Sequence, residues 1–257
     1  MISGVEVAAI GQETSCVTIT TTTGDEYGGC AAIVATGSRY RRLGIPGEEG
    51  LTGLGVHYCA TCDGPFYRGA KELVVIGGGN SALEESLFLT NLAEHVTILT
   101  HGDLRASELV QAKVLGHPKI KVRTNVEIEA FEAADGRLRA VAARGSKGGD
   151  DKAADKADDA GGAGGETIRI EAAAAFVFVG LDPNTAFLRG SVDLDERGFV
   201  RTDSIYRTSF DGVFAAGDVR SGSTKQVGSA AGEGIAALLS VRRWLEEHHL
   251  KAPATVE

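Results

Sequence analysis

The sequence lacks the patterns that mark membrane, secreted and nucleic-acid-binding proteins. None of its 257 residues falls in a run of about 18 apolar side chains, so no transmembrane helix is expected. Its 26 Lys and Arg are outnumbered by 35 Asp and Glu, which argues against a basic surface for nucleic acid. The opening MISGVEVAAIG has neither the basic nor the apolar region of a signal peptide. We therefore expect a cytoplasmic protein that binds neither membranes nor nucleic acid.

Cysteine is scarce, and two of the four cysteines lie close together as Cys59 and Cys62 in CATC. Four cysteines in a chain of this length do not form a disulfide scaffold, so the pair indicates redox or metal chemistry. Zinc requires four ligands, whereas only His57 lies near the pair, and no metal site is expected. Dithiol exchange, in contrast, needs one attacking thiolate and one resolving thiol. Cys16 and Cys30 lie among predicted strand residues and are assigned no chemistry because a buried cysteine behaves as a small apolar residue.

Asp63 directly follows the cysteine pair, and two interpretations of it stay open. Its carboxyl group can move a proton to or from a departing thiolate if it points toward the sulfurs. It can also initiate the turn of Asp63, Gly64 and Pro65, since aspartate favours that position.

The middle of the chain has the pattern of a strand, a glycine turn and a helix. A strand is predicted over 73–76, glycines occupy 77–79, and leucines at helical spacing predict a helix over 80–92. A second strand at 95–99 completes a βαβ unit of about 30 residues, the length that a parallel pair needs. The sequence therefore predicts a parallel sheet here.

The remaining pattern predicts short strands and two more helices. A helix at 107–115 is expected to end in a left-handed cap at Gly116, with Pro118 beyond it. The other expected elements are a hairpin from 16 onward, strands at 31–35, 120–122, 173–179 and 213–216, a meander of 126–132, 138–142 and 167–171, and a helix at 228–246. Residues 145–165 contain only small and charged side chains, and we predict a disordered loop.

Gly77, Gly79 and Ala82 match the G-x-G-x-x-A fingerprint between the predicted strand and helix. Small residues at these positions let a pyrophosphate approach the backbone at the positive end of the helix. The alternative is a tight turn without a ligand. Because the motif lies in a predicted βαβ unit, we favour a dinucleotide site.

The choice between NADH and NADPH stays open. An acidic residue at the end of the second strand favours NADH and arginines favour NADPH, but this chain has Thr100, His101 and Gly102 there. Asp103 can accept a hydrogen bond from a ribose hydroxyl, and Arg105 can pair with a phosphate. Both can equally be solvated loop charges.

The motifs together resemble the low-molecular-weight bacterial thioredoxin reductases. The dithiol CATCDG precedes GGGNSALEE, and IVATGS, GVFAAGDV and KQVGSAAGEGIAA agree with the same family. The resemblance extends over about 27–244 and implies an α/β fold with two Rossmann-like domains. It implies that a nicotinamide domain, 44–180, is inserted into an FAD domain made of 1–43 and 181–257.

The resemblance also implies the cofactors, the partner and the roles of individual residues. Electrons would pass from NADPH or NADH through FAD and the dithiol to thioredoxin or a related protein, in a homodimer. Cys62 would lie next to the flavin, Cys59 would attack the protein disulfide, and Asp63 would be the acid and base. FAD would contact Thr36, Gly37, Gly217, Asp218, Lys225, Gln226 and Val227, and the nicotinamide nucleotide would contact Gly77, Gly79, Asn80, Ser81, Glu84 and, at its phosphate, Arg105.

Three departures from the family pattern qualify these expectations. The family has His-Arg-Arg where Thr100 to Gly102 stand, and it usually has arginine at the position of Lys225. The family also begins with a G-x-G-x-x-G turn that holds the FAD pyrophosphate, and no such motif precedes Cys30. Met1 is then a misplaced start, an artificial boundary or the start of a remnant, and weak FAD binding is expected. A flavin-free nucleotide-binding module and a flavin dithiol oxidase are the alternative functions.

Overall fold

The computed structural model describes residues 2–13, 16–145 and 166–248. The strands are β1 (Val7–Glu13), β2 (Cys16–Thr21), β3 (Glu26–Gly29), β4 (Ala32–Val34), β5 (Ser38–Tyr40), β6 (Val56–His57), β7 (Ala70–Ile76), β8 (Ala93–Leu99), β9 (Ile120–Arg123), β10 (Val126–Ala134), β11 (Arg137–Gly145), β12 (Thr167–Glu171), β13 (Ala174–Val177), β14 (Leu181–Pro183) and β15 (Val213–Ala215). The α-helices are α1 (Glu48–Leu51), α2 (Ala60–Asp63), α3 (Asn80–Leu89), α4 (Glu108–Leu115) and α5 (Val227–Glu247), and short 3-10 helices cover Gly64–Tyr67, Ala186–Leu188 and Gly217–Val219.

The chain divides into two compact units. One unit consists of 40–180, and the other consists of 1–39 together with 181–257. The family resemblance predicts domain boundaries after residues 43 and 180. The first of these lies four residues beyond the structural division, and the second coincides with it.

A five-stranded sheet in the order β6-β13-β7-β8-β9 forms the centre of the 40–180 unit. All of its pairings are parallel, as the βαβ pattern predicted. β7 and β13 are buried along their apolar segments. Their sequences are therefore continuous apolar runs and do not alternate between apolar and polar residues. Side chains of α3 pack on one face, and the antiparallel meander β10-β11-β12 packs on the other.

The other unit contains an antiparallel sheet, β1-β2-β3, and a parallel pair, β4 and β15. Apolar residues from these strands and from the 3-10 helix at 186–188 form its core. Ala237 and Trp244 of α5 are also buried. In the described part of the chain, none of the helices combines the length and apolar character needed to cross a bilayer.

The predicted elements occur, but several boundaries and three local details differ. β1, β5, β6, β14, α1 and α2 were not predicted, and all of them except β1 are at most four residues long, too short to show a period. Gly116 has φ of −88°, so the predicted left-handed cap is wrong and α4 ends with right-handed backbone instead. Cys16 is exposed and Cys30 half-buried, so their predicted burial is also wrong. Of the predicted disordered loop, Gly145 belongs to β11 and residues 146–165 lie outside the described residues, as does the tail from 249.

The buried carboxylate of Glu48 joins the start of the 40–180 unit to the segment before the cysteines. Its oxygens accept hydrogen bonds from the backbone N–H groups of Leu43 and Gly44 at 2.9 and 2.8 Å and from the hydroxyl of Tyr58 at 2.9 Å. Three donors satisfy a carboxylate that is only 2% exposed. Gly47 precedes it with φ of +85°, and it lies against the carbonyl of Phe131.

Replacing Gly47 with alanine should therefore destabilise this unit strongly. The new Cβ would meet the Phe131 carbonyl oxygen and would also force a non-glycine residue into left-handed backbone. We expect Gly47→Ala to lower the free energy of unfolding by about 3 kcal/mol in urea denaturation.

Gly53→Ala is the matched control, because Gly53 has φ of +80° with open space at its Cβ position. It should cost about 1 kcal/mol through backbone strain alone. Equal losses in the two variants would contradict the role of the Phe131 contact.

Candidate functional site

Cys59 and Cys62 form a disulfide at the start of a short helix, with their Cα atoms 5.3 Å apart. β6 ends at His57, and Cys59 follows as the extended N-cap of α2. Its sulfur accepts a hydrogen bond from the backbone N–H of Cys62 at 3.2 Å. A backbone N–H in this position can donate to a thiolate. In this unit Cys59 is half-buried and Cys62 is exposed.

Contacts on both sides of the pair hold α2 in place. The N–H of Asp63 donates to the carbonyl of Cys59 at 3.1 Å. Gly64 follows, and a Cβ there would lie 3.1 Å from the side chains of Leu89 and Leu92. A glycine at this position therefore lets the dithiol helix lie directly on α3.

His57 joins Asp63 to Tyr67, an arrangement that the sequence did not reveal. Nδ1 of His57 lies 3.4 Å from the Oδ2 atom of Asp63, and its Nε2 atom lies 2.7 Å from the Tyr67 hydroxyl. The imidazole is 6% exposed and packs against the ring of Phe176, with the ring centroids 5.5 Å apart. The sequence pattern indicates His57 only as a metal ligand, because neither of its contacts follows a helical or strand period.

Burial shifts the pKa values of the His57 and Tyr67 rings. It lowers the pKa of His57, and the charge and hydrogen bond of Asp63 oppose that shift without cancelling it. Burial also raises the pKa of Tyr67, against the opposing charge of Arg137 and together with that of Asp63. The neutral imidazole and the neutral phenol are thus favoured near pH 7.

The glycine turn after β7 is required by the backbone. Gly77 has φ of +142°, and a Cβ there would meet the carbonyl oxygen of Phe178. A Cβ on Gly78 would lie 2.6 Å from the Oγ1 atom of Thr100. Gly79 differs, because nothing lies within 4 Å of its Cβ position. It is the N-cap of α3 and provides no side-chain hydrogen bond to the first turn, so a bound anion can accept from that turn.

The loop after β8 is tied to this turn by two hydrogen bonds. The N–H of Arg105 donates to the carbonyl of Gly78 at 2.7 Å, and that of Ser107 donates to Oδ1 of Asn80 at 2.8 Å. Arg105 is exposed, so its guanidinium can reach a ligand from this position. Ser81 and Glu84 are exposed three residues apart on α3, whereas Ala82 is fully buried.

A separate cavity of about 270 Å³ lies in the unit of 1–39 and 181–257. Its lining combines small and apolar residues with two polar ones: Ile33, Ala35, Gly37, Ser38, Ala216, Gly217, Asp218, Ala230 and Gly234. Among the described residues, the buried Oδ1 atom of Asp218 and the buried Oγ atom of Ser38 have no hydrogen-bond partner. Buried polar atoms without partners are costly, so these two fit a ligand that carries hydroxyl groups.

Thr36 lies beside this cavity and is held by Asn184. The Thr36 hydroxyl donates to the Asn184 carbonyl, the Asn184 amide donates to the Thr36 carbonyl, and both distances are 2.8 Å. The Asn184 N–H donates to the carbonyl of Gly37 at 3.0 Å. Asn184 was not singled out from the sequence, because its partners lie about 150 positions earlier in the chain.

The turn that carries Asp218 depends on a buried ion pair. Glu233 accepts from the N–H of Gly217 at 2.8 Å and from Nε of Arg220 at 2.9 Å. Burial alone would raise the pKa of Glu233, but the bonds from Arg220 and Gly217 outweigh it and lower the pKa. Gly217 has φ of +77°, which glycine adopts without strain.

Lys225 to Val227 lead into α5 from the same turn. The Lys225 ammonium donates to the carbonyls of Asp218 and Arg220 at 2.6 and 2.8 Å. It also lies 4.0 Å from the ring centroid of Phe199. Gln226 is the N-cap of α5, and Val227 is 88% exposed, so an apolar surface lies beside the lysine. Within residues 2–13, 16–145 and 166–248, no group of three or more His, Cys, Asp or Glu side chains suits a metal ion.

Comparisons with known proteins agree with this geometry. The family model for pyridine nucleotide-disulphide oxidoreductases matches residues 1–234. Thioredoxin reductase of Mycolicibacterium smegmatis is 40% identical over 231 residues, which cover 89% of this chain and 68% of that protein. Thioredoxin reductase of Treponema pallidum is 38% identical over 242 residues, which cover 94% of this chain and 72% of that protein.

A solved structure shows the same fold. Thioredoxin reductase from Streptococcus pyogenes matches with a TM-score of 0.82 and 32% identity, over 95% of this chain and 74% of that one. The predicted α/β fold with two Rossmann-like domains is confirmed. Together with the matched sequence, it shows that the chain belongs to the pyridine nucleotide-disulphide oxidoreductase family, among its thioredoxin reductases.

Proposed function

We propose that this chain passes electrons from NAD(P)H, through FAD and the Cys59–Cys62 pair, to the disulfide of thioredoxin or a related protein. One observation carries the proposal. The disulfide closes directly after β6, in the same parallel sheet whose strand β7 ends in the glycine turn. A redox pair and a dinucleotide turn thus share one scaffold.

The residues of the cavity fit FAD. Asp218 would accept from its hydroxyl groups, Ser38 would donate or accept, and Gly37 and Gly217, which have no Cβ, would let the cofactor approach the backbone beside Thr36. Lys225, Gln226 and Val227 would lie along the ring system. When bound, FAD supplies two-electron transfer between the nicotinamide and the disulfide.

The dithiol then reduces the protein disulfide by exchange. Asp63 takes the proton of the Cys59 thiol, and the resulting thiolate attacks one sulfur of the client, forming a mixed disulfide and releasing the other client sulfur, which takes that proton from Asp63. Cys62 then loses its proton through Asp63 and attacks Cys59, restoring their disulfide and releasing the second client sulfur, which takes that proton. Two electrons leave the pair and two sulfurs of the client are reduced.

Three finer assignments complete the proposal. The chain acts in the cytoplasm, where thioredoxin is kept reduced. It works as a homodimer, since the α5 side chains of Ile235, Leu238 and Leu239 are each more than half exposed and can be covered by a second copy. The nicotinamide nucleotide binds at Gly77, Gly79, Asn80, Ser81 and Glu84.

Turnover tests the function directly. Supplied with FAD, the purified protein should be yellow, and with NADPH and thioredoxin it should then produce thiols that a disulfide dye detects. Cys59→Ser and Cys62→Ser should each abolish this turnover, because one sulfur cannot close the cycle. Flavin bleaching by the nucleotide should persist in both variants.

Two results would contradict the proposal or redirect it. A yellow, nucleotide-reducible protein that yields no thiol would contradict the reductase function. A colourless protein that still binds nucleotide would support the flavin-free module, and peroxide formed in place of thiol would support the oxidase.

The open space at Gly79 predicts a variant that separates binding from stability. Gly79→Ala should change the free energy of unfolding by less than about 1 kcal/mol, because no atom lies within 4 Å of the new Cβ. It should weaken NADPH binding about tenfold, since the methyl group would occupy the approach to the helix N-terminus. Fluorescence titration measures the affinity, and Gly77→Ala, which clashes with Phe178, serves as the destabilised comparison.

The position of Arg105 predicts a difference between the two nucleotides. If its guanidinium pairs with the 2′-phosphate, Arg105→Ala should weaken NADPH binding about tenfold and leave NADH binding unchanged. The control is Arg144→Ala, an exposed arginine of the meander that pairs with Glu129. Equal loss for both nucleotides would show that Arg105 does not distinguish them.

A further inference from the structure

His57 connects the dithiol segment to a second ionisable ring outside the assigned machinery. It lies in β6, two residues before Cys59, and its two nitrogens reach Asp63 at 3.4 Å and Tyr67 at 2.7 Å. All three residues belong to the 40–180 unit. The cysteines, Asp63 and the nucleotide turn account for the proposed chemistry without His57 or Tyr67.

The partners of the imidazole fix its tautomer. Whenever its carboxyl group is ionised, Asp63 can only accept, so in that state the proton of the neutral ring belongs on Nδ1, facing the carboxylate. Nε2 is then an acceptor, and the Tyr67 hydroxyl is the donor that occupies it. The resulting chain of contacts runs from the Tyr67 hydroxyl, 2.7 Å from Nε2, through His57 to Oδ2 of Asp63, 3.4 Å from Nδ1.

Packing holds this chain in one orientation. The His57 ring contacts the rings of Tyr67 and Phe176, whose centroids are 5.3 and 5.5 Å away, and Phe176 is fully buried. Phe176 is also the register partner of His57 in the sheet. The imidazole therefore has little room to turn away from Asp63, whose side chain is 34% exposed.

We propose that His57, held by Tyr67, is a positioning residue that orients the Asp63 carboxyl group for proton transfer during dithiol exchange. The inference rests on the proposed function. When Asp63 gives its proton to the departing client sulfur, the new carboxylate accepts the Nδ1–H of His57, and the negative charge is stabilised as it forms. No proton leaves His57 in this step, and the electron count of the exchange is unchanged.

The charged and titratable groups around His57 are consistent with this role. Asp63 and Tyr67 contact it directly, and Arg137 of β11 acts on Tyr67. Burial lowers the pKa of the imidazole against the opposing effect of Asp63, so the neutral donor form persists at the pH of exchange.

Single-turnover exchange with two kinds of disulfide tests the proposal. The protein is reduced, freed of reductant, and mixed with cystamine or with an aryl disulfide, with no nucleotide added. An alkyl thiolate is a poor leaving group that benefits from a proton donor, whereas an aryl thiolate leaves without one. His57→Phe should slow the reaction with cystamine about tenfold and change the reaction with the aryl disulfide by less than about twofold.

Matched variants separate positioning from structural damage. His57→Asn retains an N–H near the position of Nδ1 and should restore the cystamine rate to within about threefold of the wild type. In the Asp63→Asn background, His57→Phe should have no additional effect, because the group that it orients is gone. His95→Phe replaces an exposed histidine of β8 and should match the wild type.

A measurement on the unmodified protein covers the case in which His57→Phe does not fold. Nitrogen chemical shifts of the imidazole should show the Nδ1–H tautomer at pH 7, and Tyr67→Phe should weaken that preference. The Nε2–H tautomer, equal slowing with both disulfides, or an unchanged cystamine rate in a folded His57→Phe protein would each overturn the proposal. So would a wild-type dithiol that exchanges with neither disulfide. Failure of flavin or nucleotide turnover alone would count against the proposed function and not against the role of His57.

Discussion

The parallel alignment of β6, β13 and β7 is the constraint on which the candidate site depends. Parallel neighbours begin at one edge of a sheet and end at the other, so the chain leaves β6 toward Cys59 at the same edge where β7 enters its glycine turn. β13 lies between β6 and β7, so the axes of these two strands are about 10 Å apart. The disulfide and the glycine turn are therefore neighbours because of the strand order.

Sequence alone could predict the parts of this arrangement that follow from local rules. The glycine turn is an example, because only residues without a Cβ satisfy the positive φ of Gly77 and the close approach of Gly78 to Thr100. The βαβ length and the apolar runs of β7 and β8 are equally local. Cys59 and Cys62 are recognisable because three positions separate them, a spacing that a single helical turn converts into a bond.

The remaining features depend on contacts that helical or strand periodicity in the sequence does not reveal. The Thr36 hydroxyl donates to the carbonyl of Asn184, 148 positions later, and the Tyr58 hydroxyl donates to Glu48 across a loop and a strand. His57 approaches Tyr67 only because the 3-10 helix at 64–67 bends the chain back over β6. The left-handed cap predicted at Gly116 is wrong for a different, local reason. Glycine permits that conformation, but here the Gly116 N–H bonds to the carbonyl of Ala112 with helical backbone.

Two carboxylates near the cavity, those of Glu233 and Asp218, differ in whether the protein supplies their hydrogen-bond donors. Glu233 is satisfied, because Gly217 and Arg220 both donate to it. Asp218 belongs to the same turn, yet among the described residues none donates to its buried Oδ1 atom, and the Lys225 ammonium bonds to the backbone carbonyls of Asp218 and Arg220 instead. A buried acceptor without a donor is costly, so this atom fits the proposed binding of a hydroxyl-bearing cofactor.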